Sequence, residues 1–97
     1  MPTYVLLISW TEQGVKSAKA TVERAQYSQQ LAQRMGGNLS TLYWTLGSYD
    51  IVGVAEMPDD ESVTALAVAI ASQGNVRTET LRAFSADEME LILQKVP

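Results

Sequence analysis

The side chains best suited to chemistry in this chain gather around the stretch Gly47-Ser48-Tyr49-Asp50, with Tyr43 just before it and Glu56 just after. A carboxylate and a phenol at the mouth of a β-hairpin can hydrogen-bond and stack on a small ligand. Glu56 falls inside an apolar run, where burial would raise its pKa toward general-base range. With Arg24 as a cation, Tyr43, Tyr49, Asp50 and Glu56 form a candidate ligand-binding set. Each also has a plainer reading. Asp50 can accept hydrogen bonds from turn amides or from Thr45, as aspartate often does in turns. Tyr49 can be a core ring with its hydroxyl satisfied, and Glu56 can pair with Arg24, Arg77 or Arg82. Trp10 and Trp44 read as core or interface residues.

The chain has no cysteine and no histidine. That removes disulfides, thiolate nucleophiles, Cys/His zinc sites, His- or Cys-held haem and the usual Ser-His or Cys-His pairs. No metal or cofactor site is expected. Gly74-Asn75 reads as a helix stop, lacking both a P-loop pattern and G-x-G-x-x-G.

The elements that position these residues follow from pattern. Tyr4 to Ser9 is a continuous apolar run, read as a strand covered on both faces. Residues 15 to 35 read as a helix, with Val15, Ala18, Val22, Ala25, Leu31, Ala32 and Met35 near one face and Gly36-Gly37 as its stop. Thr11 is a candidate cap, with Trp10 stapled over Val15, whereas Gly14 argues for a loop through residues 11–14. Leu39 to Leu46 and Tyr49 to Met57 read as hairpin strands joined by Gly47-Ser48 in a type II′ turn. That turn sets Leu46 opposite Tyr49, Thr45 opposite Asp50, Trp44 opposite Ile51 and Leu39 opposite Glu56. Leu42, Trp44, Leu46, Tyr49 and Ile51 then share an apolar face. Asp59 or Asp60 caps a second helix running to about Gln73. Val76 to Phe84 is a fourth strand, and Ser85-Ala-Asp-Glu88 is a capping box that opens a short last helix.

The order β-α-β-β-α-β plus a terminal helix predicts an α+β, ferredoxin-like fold in one domain spanning residues 1–97, with strands 1 and 3 central and 2 and 4 at the edges. The formal charge is −4, from seven Lys and Arg against eleven Asp and Glu. No basic run tracks phosphates, so nucleic acid is not an expected partner. The charge is uneven, with residues 1–48 at 4 − 2 = +2 and residues 49–97 at 3 − 9 = −6. The amino terminus lacks a basic n-region and no stretch is long enough to span a bilayer, which points to a cytoplasmic protein without a membrane role. The first strand is apolar on both faces, whereas helices cover only one side of such a sheet. Another copy of the chain is the expected cover, unless the last helix folds back over that face.

Leu46-Gly-Ser-Tyr-Asp-Ile-Val52, Glu56-Met-Pro-Asp-Asp-Glu61 and Gly74-Asn-Val-Arg-Thr-Glu-Thr-Leu-Arg-Ala-Phe84 together resemble the GYD domain family of small bacterial proteins. Trp10-Thr-Glu-Gln-Gly14 and Glu23-Arg24 fit the same pattern. The resemblance implies a ferredoxin-like domain of the dimeric α/β-barrel type whose biochemical role is largely uncharacterised. More distantly, the chain is similar to the effector-binding domain of leucine-responsive regulators, though it lacks their helix-turn-helix. The expected role is a non-enzymatic oligomeric domain that binds or senses a small apolar or amphipathic metabolite. A cofactor-independent oxygenase- or isomerase-like enzyme and a purely structural assembly unit are the alternatives.

Overall fold

The computed structural model describes residues 1–97. Its elements are β1 (Thr3–Trp10), α1 (Glu12–Lys16), a 3-10 turn (Ala18–Ala20), α2 (Thr21–Arg34), β2 (Asn38–Trp44), β3 (Ile51–Glu56), α3 (Asp60–Ala71), β4 (Val76–Ala83) and α4 (Ala86–Leu93). The strands form one open sheet in the order β2-β3-β1-β4 with every neighbour antiparallel. This is the ferredoxin-like arrangement, with the two most apolar strands inside.

Alternation along β1 decides what faces what. Tyr4, Leu6 and Ile8 are buried, while Val5, Leu7 and Ser9 are only partly covered. The buried set meets Leu39, Ile51, Ala55 and Met57 from the hairpin side, Ala32 from α2, and Val63, Leu66 and Ile70 from α3. The three α3 residues lie at i, i+3 and i+7, the spacing that lines one helix face. Asp59 caps α3 by accepting the Ser62 N–H at 2.7 Å. The bonds from Ser62 hold the Asp59 carboxyl below the usual carboxylate range. Beneath α3, the Tyr4 hydroxyl donates to Asp60 Oδ1 at 2.6 Å. Burial, with the bond to Asp60 and its charge, pushes the Tyr4 hydroxyl up to about 12, so it remains a donor at neutral pH.

Three expectations need correction. The helix expected over residues 15–35 is broken: Thr11 caps α1, accepting the Gly14 N–H at 3.1 Å, and the chain passes through a 3-10 turn before α2 begins at Thr21. Carbonyls freed at this break are satisfied by Arg24, which donates to Ser17 O at 2.8 Å and Gly14 O at 3.3 Å. Those side-chain bonds replace part of the helical ladder. Val15 and Val22, placed on the inner face by periodicity, are each 52% exposed.

The hairpin loop is wider than a two-residue turn. Gly47 does adopt a positive φ of 103°, but the strands close through Thr45 N–H to Asp50 O at 2.9 Å. The Thr45 hydroxyl donates to the Tyr49 carbonyl at 2.7 Å, the acceptor that a tight turn would pair with the Leu46 amide. The Asp50 N–H is drawn to Ile8 O on β1. Leu46 is therefore fully exposed, not part of an apolar core face.

The expected pairing holds from Trp44↔Ile51 to Thr41↔Val54, then slips at a bulge on Ser40. Leu39 sits opposite Ala55, and Asn38 takes the place opposite Glu56. An extra residue on an edge strand turns the next side chain over. The slip carries Leu39 into the core at 2% exposure, a burial worth about 2 kcal/mol, while Ser40 stays exposed with its hydroxyl toward Val54 O at 3.3 Å.

Candidate binding surfaces

Strand register builds the first surface. On the side of the sheet away from α2 and α3, one row across the strands is Thr41, Val54, Val5 and Leu81, and the next is Tyr43, Val52, Leu7 and Glu79. Val5, Leu7, Val52 and Val54 are half-buried, Leu81 is 45% exposed and Tyr43 66%. The strand expected to be covered on both faces is covered on one. The last helix does not fold back over the other: α4 leaves Met89, Leu91 and Leu93 in solvent.

At the hairpin end of this face, Tyr49 reaches across β1 to donate its hydroxyl to Glu79 Oε2 at 2.9 Å. That bond and the charge of Glu79 raise the Tyr49 pKa above its ordinary value. Ser9 and Arg77 complete the row beyond, since they pair across β1 and β4. Asp50, beside them, accepts the Trp10 backbone N–H at 2.8 Å. The carboxylate and the Asp50 amide thus fasten the end of β1 to the hairpin. A hydrogen bond to a charged acceptor contributes about 1.5–3 kcal/mol. Asp50→Ala should therefore cost about 2 kcal/mol in urea unfolding, and Asp50→Asn markedly less because an amide oxygen still accepts. Equal losses for the two variants would mean that the clamp does not depend on this acceptor.

Glu56 lies at the far end of β3 and is exposed, not buried inside the apolar strand as expected. No ion pair links it to Arg24, Arg77 or Arg82. The ion pairs present are Lys16–Glu12 at 3.5 Å and Arg82–Glu88 at 3.8 Å, both on the surface. Tyr43, Tyr49 and Asp50 share one end of the open face, whereas Glu56 is at the opposite end and Arg24 on the other side of the sheet. The candidate set therefore does not converge on a single pocket.

The second surface is a cleft between α2 and the sheet. Thr21, Arg24 and Ser28 form one wall, Ile8, Leu39, Leu42 and Ile51 the floor, and Ile70, Gln73, Asn75 and Val76 the far side. Its volume is about 40 Å³, room for roughly three waters or a few non-hydrogen ligand atoms. Arg24 is its one charged group, and its guanidinium already bonds to Ser17 and Gly14. A broader groove of about 450 Å³ runs along the free edge of β2 against α2, past Val22, Gln26, Tyr43 and Trp44. Trp44 closes one end by donating its indole N–H to Thr21 Oγ1 at 3.0 Å.

The Trp10-to-Gly14 stretch forms a joint, not a pocket. Thr11 donates its hydroxyl to Gly74 O at 2.6 Å, and Gln13 reaches Gln73 O and Asn75 Oδ1. The apparent motif is explained by packing against the loop after α3. The β2 edge groove is the feature that sequence pattern missed, because it depends on where α2 starts.

An open four-stranded sheet with two helices on one face and a free apolar face on the other defines a ferredoxin-like α+β domain. The chain belongs to the GYD domain family, whose model matches residues 4–93. It is 32% identical over 90 residues to a Thermus thermophilus protein named glutamine synthetase and cystathionine beta-lyase binding protein, covering 92% of this chain and 95% of that one. The crystal structure of TTHA0845, also from Thermus thermophilus, superposes with a TM-score of 0.58 at 27% identity, covering 89% of this chain and 96% of the other. No helix is long and apolar enough to cross a membrane.

Proposed function

We propose that this chain is a non-enzymatic binding protein that self-associates through the open face of its sheet and docks on an enzyme partner. The observation that carries the reading is the band Val5, Leu7, Val52, Val54 and Leu81, which its own helices leave uncovered. Contiguous apolar surface of this kind marks interaction sites. The relative's name supports an enzyme as the further partner. The cleft at Arg24 suits a small apolar or amphipathic metabolite that would tune such docking, and its already bonded guanidinium fits holding better than catalysis. Tyr43 and Tyr49 then belong to the interface, and Asp50 supports it from behind.

Sedimentation equilibrium at micromolar concentration should give a dimer or larger species. Leu7→Glu, which sets an unpaired charge in the interface, should weaken association by more than about tenfold. Saturable binding to purified glutamine synthetase or cystathionine β-lyase in biolayer interferometry is the second expected result. A monomeric native chain would refute the interface, and failure to bind either enzyme would remove the docking role while leaving the oligomer.

A further inference from the structure

We infer that α4 is an exchanged arm: in the self-associated protein it packs on the hairpin end of a second copy's open face and not on its own chain. The inference rests on the self-association proposed above and says how the two copies interlock.

The capping box at Ser85 and Glu88 is complete, with Ser85 N–H on Glu88 Oε1 at 2.9 Å and Glu88 N–H on Ser85 Oγ at 3.1 Å. The bond from the Ser85 amide helps hold the Glu88 carboxyl below the usual range. This is a formed helix start. Its apolar positions Met89, Ile92 and Leu93 follow the i, i+3, i+4 spacing of a helix that buries one face, and Val96 follows just past the helix end. Yet Met89 is 44% exposed, Leu93 55% and Val96 63%. The molecule is 50 Å long but only 18 Å thick, as expected if the helix extends from the body instead of lying on it.

Register then selects the occupant. β4 delivers α4 at the end of the sheet where Ala83 pairs with Thr3, whereas the loop bearing Leu46 lies at the opposite end, beyond Ile8 and Ile51. In a two-fold dimer with open faces stacked head to tail, the α4 end of each copy meets the hairpin end of the other, and both contacts form at once. The two ends are complementary. The hairpin end offers Leu46, fully exposed, and Tyr43, 66% exposed. It also carries Arg77, which has no ion pair within the chain, while Glu79 is turned to Tyr49 and Asp50 to Trp10. On α4, Asp87 and Glu90 are acids without a cation partner. An apolar stripe bordered by Glu90 thus faces an apolar tip flanked by an arginine.

The absence of native cysteine allows a direct test. Leu46→Cys and Met89→Cys are prepared separately, mixed, allowed to exchange subunits and oxidised. The mixture should yield a disulfide-linked dimer on a non-reducing gel, up to about half of the chains for random pairing, while neither variant alone does. Sedimentation of both variants confirms that they still associate. If they associate and the mixture gives no covalent dimer, or each variant cross-links equally well to itself, the arm exchange is wrong although the dimer stands. If the native chain is monomeric, the underlying self-association fails as well.

Discussion

Gly14→Ala lowers the stability of this protein by about 3 kcal/mol, a fall in melting temperature of roughly 12–24 °C. A Cβ at Gly14 would lie 2.8 Å from the Asn75 carbonyl carbon and 3.2 Å from its Cα, and closer still to the carbonyl oxygen. These are backbone atoms of the loop that leads into β4, and they cannot swing aside as a side-chain end would. Thr11 N–H also donates to that Asn75 oxygen at 3.0 Å, so relief of the clash breaks a bond that joins β1's exit to β4's entry. Far-UV circular dichroism during heating measures the effect. A loss below about 1 kcal/mol would show that α1 can lift away freely, and the joint between α1 and the Gly74-Asn75 loop would then not be rigid.

Leu66→Ala should cost about 3–4 kcal/mol. Leu66 is fully buried at the centre of α3's inner face, and truncation removes its transfer free energy and leaves a cavity besides. A domain of this size commonly has only about 5–15 kcal/mol in total, so the variant approaches unfolding at physiological temperature. Val68→Ala, on the same helix but 62% exposed, is the control and should stay within about 0.5 kcal/mol. Urea titrations with an unchanged m-value separate the two. If both variants lost the same amount, α3 would be buried on its outer face too, by a neighbour that sedimentation should then reveal.

Particular residues show what the sequence made readable. The strand order and the capping box at Ser85 were legible because each depends on local pattern: an apolar run of strand length, a hydroxyl three residues before a glutamate. The fourth strand from Val76 was legible for the same reason. The bulge at Ser40 was not, since it is settled by whether Leu39 or Ser40 turns inward, and the gain from burying Leu39 becomes visible only when Ala55 and Met57 are in place. The break before α2 was hidden because the carbonyls it frees are satisfied by Arg24, seven residues beyond Ser17. Glu56 misled because an apolar strand does not say whether its last residue is under a helix. The candidate set also mixed two sides of the sheet, for alternation separates faces without saying which elements cover them.

The pairing of Thr3 with Ala83 has a consequence for how the chain is made. β1 leaves the ribosome before the other three strands, yet it is central, and one of its two neighbours is the last of the four to be synthesised. Its long-range partner cannot exist until nearly the whole domain has been translated, so the sheet closes late and at a high entropic cost of loop closure. Until then an apolar strand waits with an unpaired edge, a state prone to pairing with other nascent chains. Newly made copies are therefore most vulnerable to aggregation in the interval before β4 arrives, and nascent-chain chaperones have most to protect during that interval.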